Sequence, residues 1–389
     1  MRKKVISVFG TRPEAIKMAP VLEELKKYKD IESRVIVTAQ HRDMLDMVLK
    51  LFNIAPDYDL NIMQDRQTLS EITSKIIINL TSILEKEKPC LVLVHGDTTT
   101  TMASALSSFY QKIPVGHIEA GLRTDNFYNP FPEEINRRLC DQLSTLHFAP
   151  TKRAKDNLLK ENIPLKGIFL TGNTVIDAIL TTIKRSKEKN IDFFKQNNLP
   201  EELKDKKILL VTAHRRESWG DEMDDMCLGL KDLIINFPDT AIVFPVHKNP
   251  VVRESVNKIL GNLDRVFLLE PMDYEPFSMA IQKSYMILTD SGGIQEEAPA
   301  LGKPVLVMRK TTERPEAIEA GTVKLVGTNR REIFKIASEL ITNKQEYNKM
   351  SQAINPYGDG KAAFRTVKFL RYFLGLEKYP PREFCLSNS

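Results

Sequence analysis

Short, unbroken runs of branched apolar residues, each followed by a longer amphipathic stretch, recur along the whole chain, and this alternation constrains the fold more than any other feature. The first series reads KVISVFG, SRVIVTAQ, CLVLVHGD, IPVGHIEAG, LHFAPT and GIFLTGN, between residues 4 and 173. A strand with one wet face alternates apolar and polar residues, whereas a strand covered on both faces reads as a continuous apolar run. These runs therefore predict a parallel sheet with helices on both sides. After the charged stretch KRSKEKNIDFFKQNNLPEELKDKK the rhythm restarts with ILLVTAH, TAIVFPVH, RVFLLEP, YMILTDSGG, KPVLVMR and TVKLVG. The expectation is an α/β protein of two Rossmann-like, doubly wound domains around a cleft that the carboxyl ends of their strands face.

A chain of 389 residues is too long for one typical core. The pattern places the first domain at residues 1–175, a linker helix region at 176–206, the second domain at 207–365, and a C-terminal helix and tail at 366–389. KAAFRTVKFLRYFLG reads as an amphipathic helix that crosses back to the first domain.

The net charge of +5 is spread over the chain, which argues against nucleic acid as a partner but leaves room for a local basic site for a small anion. Cys90, Cys140, Cys227 and Cys385 form no CxxC pair and no zinc-finger spacing, so reduced thiols and no metal are expected. The opening MRKKVISVFG has too short an apolar run for a signal-peptide core, and no run approaches the roughly 18 residues of a membrane span. A cytoplasmic protein without membrane contact is the expectation.

Several motifs sit where a strand passes into a helix. In SVFGTRPEAIKMAP, Thr11 and Pro13 mark a helix start, which puts Arg12 and Lys17 near an N-terminus suited to an anion; Pro20 either kinks that helix or restarts it. Asp97, at the end of LVLVHGD, is either a helix cap or a working carboxylate. TAHRRES places His214 beside Arg215 and Arg216 at a strand tip, a position suited to a phosphate or acid-base role. In ILTDSGGIQEEAPALGKPVLVM, Ser291, Gly292 and Gly293 let backbone amides approach a diphosphate, and Glu297 is spaced to accept ribose hydroxyls, although an ordinary glycine-rich turn has the same look. Asp57, Tyr58 and Asp59 read as a surface turn. No GxGxxG follows a strand and no GxxxxGK[ST] occurs, so neither a dinucleotide nor a Walker-type site is expected.

The most acidic loop, HIEAGLRTDNFYNPFPEEINRR, carries Glu119, Glu133 and Glu134. Together with VFGTRPEAIKMAP, TAQHRDML, VHGDTTTT, TGNTVIDA, VTAHRRES and TDSGGIQEEAPALGKPVLVMRKTTERPEA, it resembles the non-hydrolysing UDP-N-acetylglucosamine 2-epimerases of bacteria and archaea, over residues 4 to 370. The resemblance implies a GT-B-type fold, a homodimer, and reversible conversion of UDP-N-acetylglucosamine to UDP-N-acetylmannosamine without a cofactor, feeding cell-surface polysaccharide synthesis. By the same resemblance Asp97, Glu119 and Glu133 surround the sugar and His214 lies near the diphosphate. Arg12, Lys17, Ser291 to Gly293 and Arg314 match phosphate contacts, Glu297 the ribose ligand, and Phe277 the uracil neighbour. Met272 stands where some members carry glutamine at the uracil. Gln40, His41 and Arg66 match a regulatory site at which the substrate activates bacterial members, with Asp43 where some have glutamine.

The C2 proton of such a sugar has no adjacent carbonyl to acidify it. The resemblance implies elimination of UDP to 2-acetamidoglucal followed by re-addition, which meets that difficulty and requires a leaving-group clamp at one end and carboxylates at the other. Clustered carboxylates do not ionise independently, so one of the three is expected to hold a proton and act as the acid. Glu134 and Arg123 are expected to be ordinary pairing residues, Glu134 with Arg137 or Arg138. Two readings compete: a 2-epimerase for a UDP-diacetamido-uronic acid, and, from a different class, a non-catalytic sugar-nucleotide sensor.

Overall fold

The computed structural model describes residues 2–39, 42–64 and 66–386. Two compact units divide the chain: Met1–Ala178 joined by Tyr357–Ser389, and Ile179–Pro356.

Among the described residues the first unit holds seven strands, β1 (Lys3–Phe9), β2 (Ile31–Val37), β3 (Tyr58–Asp59), β4 (Leu91–His95), β5 (Val115–Ile118), β6 (Leu146–Ala149) and β7 (Ile168–Leu170). They form one sheet in the order β3-β2-β1-β4-β5-β6-β7, parallel throughout. Val5 pairs with Ser33 on one side and Leu91 on the other, so β1 is the strand from which the chain winds both ways. Val8, Ile36, Val92 and Val94 lie wholly buried under the flanking helices. This is the physical origin of the continuous apolar runs.

The tripeptide expected as a surface turn is instead the sheet edge. Tyr58 and Asp59 pair with Ile36 and Val37, and the Asp57 carboxylate accepts from the Val35 amide at 2.8 Å while pairing with Arg34. Two residues are too few for a periodic signal, which is why the sequence pattern missed the strand.

The helix after β1 runs from Arg12 to Leu25 with Thr11 as its cap, and Pro13 sits in its first turn. Pro20 lies inside it without ending it. The helix Ala362–Phe373 packs against Arg12–Leu25, Phe369 stacks on Phe169 of β7 at 4.3 Å between ring centroids, and Arg371 pairs with Asp30. Burial of each such large apolar side chain contributes roughly 1.5–3 kcal/mol. The chain rejoins the first unit at Tyr357, ahead of residue 366, because the packing begins before the helix does. The Asn173 amide donates to the Tyr357 carbonyl at 2.6 Å, and the buried Asp177 carboxylate accepts from the amides of Ala362 and Ala363.

The second unit holds β8 (Lys207–Thr212), β9 (Thr240–Pro245), β10 (Val266–Leu269), β11 (Met286–Thr289), β12 (Val305–Val307) and β13 (Val323–Leu325), in the order β10-β9-β8-β11-β12-β13, again parallel. In both units the strand order reverses beside the first strand: between β1 and β4, and between β8 and β11. Open α/β sheets bind ligands at the carboxyl ends of the strands at such a point. The motif residues stand there in each unit.

Candidate active site

In the first unit, the turn after β1 delivers Arg12 to the first turn of its helix, half-buried and with no hydrogen bond or ion pair among the described residues. A guanidinium at a helix N-terminus favours an anion as its partner. The resemblance assigns Lys17 to phosphate as well. Its partner within the protein is Glu119, whose Oε2 also accepts from Asn173 Nδ2 at 2.8 Å.

Glu119 follows β5 with φ of 65°, a conformation that costs a side-chain-bearing residue on the order of 1 kcal/mol or more. It is held there by its own amide and that of Ala120, both donating to the Phe148 carbonyl at 3.1 and 3.2 Å. Strain kept in place by sheet hydrogen bonds aims the carboxylate.

Asp97 does not cap a helix. Thr98 is the cap of Thr99–Tyr110, its hydroxyl accepting from the Thr101 amide. Asp97 Oδ2 accepts from Arg137 Nε at 2.8 Å, and its carbonyl from Asn136 Nδ2 at 3.0 Å. Both donors lie on the helix Glu133–Leu143, whose first residue is Glu133. That helix therefore ties Glu133 to Asp97. Glu133 Oε2 is buried yet has no hydrogen-bond partner among the described residues, which leaves a carboxylate oxygen without the compensation a buried acceptor normally has. Glu134 and Arg123 are pairing residues: the buried Glu134 binds Arg138 and the Thr124 amide, and Arg123 bridges Asp141 and Glu161.

Two residues in this unit escaped the sequence reading. His95 ends β4 with Nε2 4.0 Å from Glu119 Oε2, and neither ring nitrogen has a hydrogen-bond partner among the described residues. Burial, against the pull of Glu119, pushes its pKa down to about 3, so the ring is neutral. Glu14 is buried beneath the Arg12 turn. Its Oε2 accepts from the Gly10 and Thr11 amides at 3.0 and 2.7 Å, and its Oε1 from the Thr98 and Thr101 hydroxyls at 2.7 and 3.0 Å. One carboxylate thus joins the turn bearing Arg12 to the turn bearing Asp97. Burial raises its pKa, with the four donors opposing. The spacing Thr11-x-x-Glu14 is a capping box and was there to be read.

In the second unit, His214 stands just beyond β8 with its side chain 43% exposed, Nδ1 lying 3.0 Å from Asp290 Oδ1. Asp290 Oδ2 accepts from the amides of His214 and Arg215 at 2.6 and 2.7 Å. Burial disfavours the Asp290 anion, but the His214 contact and the two amides outweigh it and hold the carboxyl below its usual range. The Asp290 carboxylate faces Nδ1. Asp290 stands in the quoted TDSGG motif but was not singled out.

Gly292 and Gly293, between β11 and the helix Ile294–Glu297, have no positive φ, and a Cβ on either would meet nothing within 4 Å. Neither packing nor backbone geometry demands glycine here; the open space is what the absent side chains provide. Glu297 Oε1 accepts from the Tyr274 hydroxyl at 2.8 Å, and the helix Tyr274–Lys283 also carries Phe277, with Met272 just ahead of it. Arg314 pairs with the buried Glu296, which holds its guanidinium in place. Arg66 is exposed, with φ of 58°, while Gln40 and His41 lie outside the described residues.

The family model described as UDP-N-acetylglucosamine 2-epimerase matches residues 23–371. A Bacillus subtilis protein named UDP-N-acetylglucosamine 2-epimerase is 55% identical over 381 residues, 98% of each chain. The crystal structure of a Listeria monocytogenes protein described as a UDP-N-acetylglucosamine 2-epimerase superposes with a TM-score of 0.92 at 48% identity, over 99% of this chain and 100% of that one. The UDP-GlcNAc 2-epimerase of Neisseria meningitidis, solved bound to UDP-GlcNAc, gives a TM-score of 0.85 at 52% identity, covering 95% and 100%.

Proposed function

Because this chain belongs to the UDP-N-acetylglucosamine 2-epimerase family, we propose that it interconverts UDP-N-acetylglucosamine and UDP-N-acetylmannosamine by eliminating UDP and adding it back. The enzyme is an isomerase with the family's α/β fold, two Rossmann-like units of the GT-B type. In the forward direction a carboxylate takes the C2 proton while the C1–O bond breaks, its electron pair leaving with the diphosphate and C1=C2 forming in 2-acetamidoglucal. Return of a proton to the opposite face of C2 and attack of the phosphate oxygen on C1 complete the inversion.

The observation that carries this reading is Glu133 Oε2, a buried carboxylate oxygen with no hydrogen-bond partner among the described residues, on the helix that also grips Asp97. Asp97, Glu119 and Glu133 share the removal and return of the C2 proton. Their charge also favours an oxocarbenium-like transition state. Arg12, His214, Arg314 and the backbone of Ser291, Gly292 and Gly293 stabilise the charge that builds on the leaving diphosphate. Lys17 contacts phosphate as well as Glu119, Glu297 takes the ribose, and Phe277 and Met272 lie at the uracil.

A homodimer in the cytoplasm, supplying a precursor of cell-surface polysaccharide, completes the proposal; no helix among the described residues is long and apolar enough to cross a membrane. Activation by the substrate itself at Gln40, His41 and Arg66 belongs to the same reading. Proton NMR with UDP-N-acetylglucosamine in heavy water tests the central claim. UDP-N-acetylmannosamine carrying deuterium at C2 is the expected product. Free N-acetylmannosamine with UDP, or retention of the original proton, would remove the proposed chemistry.

A further inference from the structure

Two residues before Glu119 stands a histidine that no step above uses. His117, on β5, is wholly buried with both ring nitrogens engaged: Nδ1 lies 2.6 Å from Asp141 Oδ1 and Nε2 2.7 Å from the Gly96 carbonyl oxygen. A carbonyl oxygen only accepts, so Nε2 carries a proton. Asp141 Oδ2 accepts from Arg123 Nη2 at 2.7 Å and from the Gly121 amide at 3.3 Å. Oδ2 pairs with the Arg123 guanidinium, which favours Asp141 as the anion, so the proton between Oδ1 and Nδ1 belongs to His117.

We propose that His117 is a permanent imidazolium and, with Asp141, a positioning pair for the three sugar-side carboxylates. The attachments are specific. Nε2 holds Gly96, the residue before Asp97, and Asp141 Oδ2 holds Gly121, two residues after Glu119. Asp141 itself lies on the helix that begins at Glu133. Gly121 has φ of 85°, and a Cβ there would come within 2.2 Å of the Ala154 carbonyl oxygen, so only glycine fits this turn. A single ion pair thus fixes all three segments that bear Asp97, Glu119 and Glu133.

The surroundings agree. Burial alone would discharge His117, but the neighbouring Cys140 and Asp141 raise it well above its ordinary value, and Asp141 is lowered to about 2 despite its burial. The other titratable groups facing the pair are Arg123, His95 at the end of β4 and His147 of β6. His147 has one short bond, Nε2 to the Asp141 carbonyl at 2.7 Å, and a long one of 3.3 Å to the Gly167 carbonyl, and burial pushes its pKa down.

The test is nitrogen-15 NMR of the wild-type protein labelled at histidine, across roughly pH 6 to 8, where an ordinary imidazole loses its proton. One ring that keeps both nitrogens protonated throughout, and that is missing from His117→Gln, is the expected result. A bare nitrogen on every ring at the upper end of that range would overturn the proposal, and this spectrum decides it even if the variant does not fold. In the folded variant the expected kcat loss is about 100-fold, the size of effect produced by small misplacement of catalytic groups, with KM unchanged. Wild-type turnover in His117→Gln would equally overturn it. The proposal rests on the assignment of the three carboxylates to the sugar, and the two fail separately. Absence of deuterium at C2 removes that assignment and leaves the ring protonation standing, whereas a bare ring nitrogen removes the pair and leaves epimerisation standing.

Discussion

His95 shows how burying one titratable side chain makes stability depend on pH. Its imidazole is buried next to Glu119, neither nitrogen has a hydrogen-bond partner among the described residues, and burial pushes its pKa down to about 3. In the unfolded chain the same ring takes its proton near pH 6.5. A group lowered on folding contributes stability above its unfolded pKa and loses that contribution as pH falls toward its folded pKa, so His95 makes the protein acid-sensitive from about pH 6.5 down to about pH 3. Replacing it by leucine removes the linkage. Chemical denaturation of His95→Leu should show a loss of stability between pH 7 and pH 5 that is smaller than wild type by about 2 kcal/mol. An identical pH dependence in the two proteins would mean that the ring is solvated or charged in the folded state.

At the scale of elements, the C-terminal helix Ala362–Phe373 is started by a side chain from a distant helix. Asp177 accepts from the Ala362 and Ala363 amides at 3.1 and 2.9 Å, doing the work of a cap for a helix whose own preceding residue, Lys361, cannot. Asp177→Ala should lower thermal stability by about 1 kcal/mol through loss of that cap. Burial raises the Asp177 pKa to about 6, against the two amides. A carboxyl raised on folding contributes fully below its unfolded pKa near 3.8, and the contribution fades as pH rises through about 6. The penalty of Asp177→Ala should therefore be larger at pH 5 than at pH 7.5. A penalty that grows with pH would show that the ionised carboxylate, rather than the protonated one, is the better cap.

For the whole molecule, the proposed roles divide by unit: sugar-side carboxylates in the first, nucleotide groups mostly in the second. UDP alone should therefore stabilise the protein without help from the carboxylates. At a hundredfold excess over Kd the expected rise in Tm is about 5 °C. Glu297→Ala should lose most of that rise, since it removes the ribose acceptor. Glu133→Gln should keep the rise while turnover falls by about 10²- to 10⁴-fold, the contribution typical of a general acid or base. A Glu133→Gln protein that no longer responds to UDP would place that carboxylate at the nucleotide.

The alternation of apolar runs was enough to set out both doubly wound sheets, because burial on two faces leaves its mark in every residue of a strand. Asp97 and His214 drew attention because each stands two residues beyond a strand, where topology puts ligands, whereas the sugar-side assignment of Asp97, Glu119 and Glu133 came from the resemblance. What the linear pattern could not give is which distant groups meet. Arg137 reaches Asp97, Lys17 and Asn173 share Glu119, and His117 joins Gly96 to Asp141 only because the parallel order β1-β4-β5-β6 brings those strand ends side by side. Likewise, whether a histidine in an apolar run is neutral like His95 or charged like His117 depends on one carboxylate and one carbonyl from other segments. Those partners are set by sheet register and helix packing, so charge state belongs to the tertiary structure while the strand that carries it belongs to the sequence.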